Sequence, residues 1–367
     1  MNKYLLENYS LLGKEVKKER KVATGLKAVI KNSNLHFVIF GVILFIITSL
    51  AVNKVIPDII PYTFQTTFAI TLSYGIAAIG FCLLMGYSGL ASLGTGGFIG
   101  IGVYAMHYIV REAELPFGLA IVVALGIALL IGALVGFISL RIEGIYLVIL
   151  TLALSEILRN FYTEFLEDKA KIKNFEIFGN TIKKQDSLYL VAIALVIVMI
   201  ITNNIIKSPT GRAMLAMKNS TAAAQAMGIS LIKYRLLAFI ICTMYAALAG
   251  TLLIIPLRSI QASNDAGTYA LITSLNILAA VIIGGYKSIW GALFGTFVMY
   301  GMRSTVLQNI EFFVENPEFL DIVNGVLVIL VVMFFPGGLA QLLLEAKAKI
   351  KVFIKKMKEG IYGKDLG

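Results

Sequence analysis

The sequence predicts an all-α polytopic membrane protein with about ten transmembrane helices and both termini on the cytoplasmic side. Three observations carry this. Hydrophobic residues make up 58% of the 367 and charged residues 14%, whereas a soluble domain has about 45–50% and about 25%. Several apolar runs exceed the ~18 residues that read as a bilayer span. The lysines and arginines behind the net charge of +11 collect between and beyond those runs. Helices follow because hydrocarbon offers no partner to an unpaired backbone group. The positive charge matches the lysine and arginine bias of cytoplasmic loops, so no nucleic-acid partner is expected.

Taken in order, residues 1–35 hold Lys14, Lys17, Lys18, Arg20, Lys21, Lys27 and Lys31. They are expected to form a basic, partly helical cytoplasmic segment lying on the anionic leaflet. The first apolar run starts near Phe37 with no convincing cleavage site after it, so this span is expected to stay in the protein. The transmembrane domain, 36–336, then places spans at about 36–55, 61–85, 92–110, 117–139, 145–163, 188–206, 235–257, 269–285, 289–307 and 320–336. Residues 337–367 form a second basic cytoplasmic tail. With the N-terminus inside, ten spans return the C-terminus to the same side. The loop 208–234 then lies inside. "REAELP", the 164–187 stretch, "SIQASNDAG" and "QNIEFFVENPEF" lie outside, and they are acidic, mixed or nearly uncharged, as the rule requires.

Within the spans, glycines recur as GxxxG at Gly96–Gly100, Gly132–Gly136 and Gly291–Gly295, a spacing that lets helices approach closely in lipid. Gly100 to Ala105 also fits G-x-G-x-x-A. No strand precedes it and no βαβ unit surrounds it, so a dinucleotide site is rejected. The stretch "GYSGLASLGTGGFIG", Gly86–Gly100, has two readings. A glycine-rich break beside apolar helix can line a transport path, which makes Tyr87, Ser88, Ser92, Thr95, Gly96 and Gly97 candidate pathway residues. It can equally be a cytoplasmic turn leading into a tightly packed helix.

Glu156 and Arg159 stand i,i+3 inside a span and are expected to form an intramembrane ion pair. Structure is favoured over transport chemistry for them, because both fall toward the outer end of the span. His36 and His107 sit near span ends, so no metal site is expected. Cys82 and Cys242 fall in apolar segments and read as packed thiols. There is no G-x-x-x-x-G-K-[ST] sequence and no serine–histidine–acid set placed for catalysis. The chain is therefore expected to bind no cofactor and to be no enzyme. If ATP drives it, another protein hydrolyses the ATP.

The loop "SPTGRAMLAMKNSTAAAQAMGISLIKYR", Ser208–Arg235, carries Arg212, Lys218, Lys233 and Arg235 and no acidic residue. Ser208 and Pro209 form a helix start. A first short helix runs to about Lys218. Asn219–Thr221 breaks it and offers fresh caps. "AAAQAM" makes a second helix, which Gly228 closes in the left-handed conformation. The alanines keep the unit thin enough for a partner to approach its backbone. Met217, Met227 and Ile229 are candidate apolar anchors for a groove. A hairpin lying on lipid would favour bulkier residues.

At this point the sequence resembles the permeases of branched-chain amino acid ABC importers, the LivM-like family. The loop and the span after it carry the resemblance, with "GYSGLASLGTGGFIGIGVYA", "LRIEGIYLVILTLALSEILRN" and "VIIGGYKSIWGALFGT" in the same order. The A-A-A-x-x-x-G pattern from Ala222 to Gly228 is similar to the EAA loop of importer permeases, with Ala222 where that motif usually has glutamate. The resemblance implies an ABC-importer permease bundle in a bacterial inner (plasma) membrane. Ala222, Ala223, Ala224, Gln225, Met227, Gly228 and Ile229 would form the coupling loop seated on a cytoplasmic ATPase. The partners implied are two ATPase subunits, a related permease forming a heterodimer, an extracytoplasmic substrate-binding protein and the lipid bilayer. The cargo implied is branched-chain or other hydrophobic amino acids. An importer for urea, amides, nucleosides or sugars is the alternative, and a stand-alone carrier or channel the third reading. The 164–187 stretch departs from the family in being rich in lysine rather than glycine.

Overall fold

The computed structural model describes residues 34–52, 62–139, 145–173, 175–177, 180–182, 184, 186–263, 269, 271–302, 319–334 and 338. Most of the two lysine-rich terminal segments and of "QNIEFFVENPEF" lies outside the described residues.

A helix stands at each of the ten predicted spans. These are α1 (Leu35–Val52), α2 (Tyr62–Leu83), α3 (Thr95–Met106), α4 (Phe117–Ser139), α5 (Ile145–Phe165) and α6 (Ser187–Lys207). Two short helices follow, α7 (Pro209–Asn219) and α8 (Thr221–Ala226), and then α9 (Leu231–Leu257), α10 (Leu271–Gly284), α11 (Ile289–Thr296) and α12 (Phe319–Phe334). Single π-helical turns extend α2 over Leu84–Ser88, α3 over His107–Glu112 and α11 over Phe297–Gly301. Among the described residues, four helices are long and apolar enough to cross a membrane: Phe64–Ser88, Phe117–Phe137, Ser187–Lys207 and Leu231–Leu257. The helices α10 and α11 are shorter than the ~20 residues a span needs. They pack as a tight hairpin in which a Cβ on Gly284 would stand 1.8 Å from the Gly291 carbonyl oxygen.

Helices α2, α3 and α9 form the centre, with α4, α5, α6, α10 and α11 packed around them and α1 on α6. Every residue of α3 is buried. The outer helices turn large apolar side chains outward, among them Val122, Leu130 and Leu134 of α4, which is sensible only where the solvent is hydrocarbon. The ion pair is present: Arg159 Nε donates to Glu156 Oε2 at 2.9 Å. Both cysteines are buried and unpaired.

The connections sort to two ends. At one end, β1 (Lys169–Lys171) pairs antiparallel with β4 (Ser259–Gln261), and β2 (Phe175–Ile177) with β3 (Asn180–Ile182). His107 Nδ1 lies 2.9 Å from the Lys171 carbonyl oxygen, Tyr104 donates to the Glu167 carbonyl, and Phe117 stacks on Phe175. The Ser263 amide and the Gln261 side chain donate to the Asp168 carboxylate. Burial acts to raise its pKa, but these bonds and Lys169 outweigh it and hold the carboxyl below its usual value. At the other end, the π turn after α2, the 208–230 unit and the turn between α10 and α11 meet. Among the described connections, those after α3, α5 and α9 share the first end and those after α2, α6 and α10 the second.

The plain polar loop expected at 164–187 is instead a small strand cap. Its lysines alternate with inward residues, with Ala170 buried between Lys169 and Lys171. Three residues are too few for that period to read as a strand.

Candidate functional site

The second end holds nearly all the sequence-predicted site residues. Ser208 caps α7 by accepting from the Gly211 amide, and Pro209 takes the first helical position. The Lys207 carbonyl accepts from Arg212. Helix α7 stops at Asn219 because Ser220 turns extended, and Ser220 then caps α8 by accepting from the Ala223 amide at 3.3 Å. Gly228 ends the unit at φ +77°, and α9 begins at Leu231 after the extended Ser230. Each stop and start stands where the local sequence put it.

The burial of this hairpin separates two surfaces. Gly211, Ala213, Met214 and Met217 of α7 face inward, and Ala224 of α8 is only 2% exposed. Ala222, Ala223, Gln225 and Gly228 are exposed, and Met227 is 79% exposed. The expectation of three apolar anchors is therefore corrected at Met217. Met217 is 2% exposed and is no outward anchor, whereas Met227 is exposed and Ile229 partly so, one side of it packed against the core. The reason is the i,i+3 spacing of Met214 and Met217, which puts both on the bundle side of α7.

Lys218 joins this hairpin to the glycine-rich stretch. Its ammonium donates to the Met85 carbonyl at 3.0 Å and the Gly86 carbonyl at 2.8 Å, and sits 4.3 Å from the centre of the Tyr286 ring. Partial burial, with the charge of Lys287 nearby, holds its pKa below the ordinary lysine value. The same junction is closed by backbone. A Cβ on Gly86 would fall 2.0 Å from the Tyr286 carbonyl oxygen, and Tyr87 donates to the Lys287 carbonyl. Three connections thus meet through one lysine and one glycine.

The candidate pathway residues lie just above. Ser88 donates to the Leu84 carbonyl, and Ser92 accepts from the Gly94 amide. Both hydroxyls are engaged locally and buried. The first amides of α3 are capped from other helices: Gly96 by Ser274 Oγ and Gly97 by Ser155 Oγ, each at 2.9 Å. Thr151 Oγ1 accepts from the Leu93 amide, and Tyr162 donates to the Gly97 carbonyl. Thr95 Oγ1 is buried with no hydrogen-bond partner among the described residues. The stretch is thus a helix break held by hydroxyls from α5 and α10. Both readings of the sequence describe part of it: a turn at the end of the bundle, and then a buried, uncharged polar start to the central helix. Glu156 and Arg159 lie on α5, on a partly exposed face away from this junction. Sequence reasoning missed Lys218, Thr151, Ser155, Ser274 and Tyr162, because their partners lie from 58 to 178 residues away in the chain. Among the described residues, no group of three histidine, cysteine or acidic side chains is placed to hold a metal.

Comparison with known proteins bears on what this arrangement serves. Residues 63–332 match the family described as "Branched-chain amino acid transport system / permease component". The chain is 29% identical over 301 residues to the high-affinity branched-chain amino acid transport system permease protein LivM of Escherichia coli (strain K12), covering 74% of this chain and 68% of that one. It has the same identity to the protein of that name in Salmonella typhimurium, covering 73% and 68%. A shorter likeness, 29% over 129 residues, covers 35% of this chain and 37% of the probable ABC transporter permease protein YphD of Escherichia coli (strain K12). No solved structure matches the chain.

Proposed function

The chain belongs to the branched-chain amino acid transport system / permease component family, and we propose that it is the membrane-spanning permease subunit of an ATP-driven importer for branched-chain amino acids. The observation that carries this is the junction at the inner end. A thin capped hairpin presents Ala222, Ala223, Gln225, Met227 and Gly228 outward and is tied by Lys218 to the break ahead of α3. A self-sufficient carrier has no use for such a handle.

In this reading the hairpin is the coupling element, seated in a groove of a cytoplasmic ATPase, with Met227 as its apolar contact. The helices at the ten predicted spans lie in the bilayer, α10 and α11 as a short packed hairpin, with the hairpin end of α7 and α8 and both lysine-rich termini in the cytoplasm of a bacterial cell. A second, related permease completes the transport path, two ATPase subunits drive it, and an extracytoplasmic binding protein delivers cargo at the strand cap. ATP-dependent movement of the hairpin reaches the bundle by two routes. One is covalent, through the ends of α6 and α9. The other is Lys218, which pulls on the Met85 and Gly86 carbonyls and so on the start of α3. Coupling of this kind is a rigid-body transition between two openings.

The stretch Ser92–Gly97 is uncharged, with the Thr95 hydroxyl its one unpartnered polar side-chain atom among the described residues, which suits a zwitterionic or neutral cargo and offers no ion-coupling carboxylate. Urea, amides, nucleosides and sugars would pass the same groups, so cargo choice rests with the binding protein. The experiment is uptake of radiolabelled leucine by membrane vesicles holding the assembled complex. Accumulation should need ATP and the binding protein. Accumulation driven by an ion gradient alone would contradict the reading.

A further inference from the structure

We propose that the groove between α6 and α9, beside the hairpin, is a binding site for one anionic phospholipid of the cytoplasmic leaflet. This rests on the reading that the hairpin end faces the cytoplasm. The groove has a volume of about 590 Å³. Its depth is apolar, lined by Ile205, Leu237 and Ile241, while its rim carries Lys233, Ser208 and Thr210. Between Lys233 and Ile241 the helix rises about 12 Å, a suitable depth for the upper part of an acyl chain whose headgroup stays at the rim.

Charge points to the occupant. Lys233 of the lining is exposed, as are Lys207 and Arg212, which flank Ser208 and Thr210 in the sequence, and none of the three has an acidic partner among the described residues. The segment 208–235 has no carboxylate at all. Lys233 and the Thr210 hydroxyl line the rim where a phosphate would lie, and the start of α7, capped by Ser208, adds the positive end of a helix. The groove between α1 and α6 offers a contrast. It is lined by Val38, Phe45, Ile193 and Ile197, with no charged or hydroxyl side chain, and should hold any acyl chain without regard to headgroup. Basic pockets between helices on the cytoplasmic side recognise anionic headgroups in this way. A lipid seated here touches the first turn of α7, so it steadies the base of the hairpin.

The test is native mass spectrometry of the intact complex, delipidated in mild detergent and then offered dioleoyl phosphatidylglycerol or dioleoyl phosphatidylcholine. The wild type should retain phosphatidylglycerol in preference. Lys233→Gln, a surface change, should weaken that retention about fivefold, the factor for one cation at an anionic surface, and leave phosphatidylcholine unchanged. Leu237→Trp should remove the preferred lipid by filling the groove. Equal retention of the two lipids by the wild type, or an unchanged preference in Lys233→Gln, would overturn the proposal. Loss of the second permease on Leu237→Trp, with lipid retention unaltered, would also overturn it and assign the groove to protein. A complex that keeps its ATPases but shows no lipid preference contradicts this site alone. A chain that shows the preference but carries no ATPase contradicts the coupling reading alone.

Discussion

Single side chains decide how the hairpin is joined to the bundle. Lys218 makes two charge-assisted hydrogen bonds to the Met85 and Gly86 carbonyls, and such bonds are worth about 1.5–3 kcal/mol when sheltered. Lys218→Met keeps the stem and removes the donors. It should reduce uptake by about tenfold, while the ATPase subunits still co-purify. Unchanged uptake in a complex of normal composition would remove Lys218 from the coupling route. Glu156→Gln should behave differently. The pair is partly exposed and i,i+3 on one helix, so the change should lower the detergent melting temperature by a few degrees and leave uptake intact; loss of uptake in a well-folded protein would assign the pair to transport. The sequence identified Glu156 and Arg159 as a pair because their spacing is local. It left Lys218 as one cation among several, since its partners are 132 and 133 residues away.

Elements were legible where their signals are short-range. Ser208-Pro209, Ser220 and Gly228 located both helices of the hairpin, because caps and left-handed stops act within four residues. Which face each helix buries is a tertiary property, and there the reading failed for Met217. It also alters the mutagenesis. Ala224→Arg would break the hairpin's own packing, whereas Ala223→Arg alters an exposed position. Ala223→Arg should abolish ATPase co-purification without lowering the yield of folded permease, as judged by gel filtration; normal co-purification would move the docking surface elsewhere. Glycine spacing was legible in the same partial way. The Gly132–Gly136 pair does meet α9, at Thr243 and Leu236. The Gly291–Gly295 pair meets α10, where a Cβ on Gly295 would stand 1.9 Å from the Ala280 carbonyl oxygen, but an equally tight crossing joins α3 and α9 through Gly102 and Gly250, where added Cβ atoms would stand 1.9 and 2.0 Å from opposing carbonyl oxygens. Gly250 belongs to no GxxxG pair. Gly250→Val should prevent recovery of folded protein, because backbone cannot move aside as a side chain can. Gly126→Val, where nothing stands within 4 Å, should be recovered normally.

For the whole molecule, the described connections gather at two ends. This follows from contacts that know nothing of a membrane: β1 with β4 at one end, and Gly86 with Tyr286 at the other. The β1–β4 part of the strand cap was invisible in sequence because its pairing joins residues about 90 apart, and the local β2–β3 pair because its strands are three residues each. Both native cysteines are buried, so introduced thiols report cleanly. In whole cells an impermeant maleimide should label Lys169→Cys, and should label Ala223→Cys only after permeabilisation. The reverse pattern would invert the topology and with it the coupling assignment.

The central claim is that the exposed face of the α7–α8 hairpin seats an ATPase. Affinity purification of the tagged chain from its native membrane in mild detergent, followed by mass spectrometry of what accompanies it, tests that most directly. The account predicts two ATPase subunits and a second permease with the wild-type chain, and no ATPase with Ala223→Arg. A chain recovered intact and alone under several detergents would contradict it.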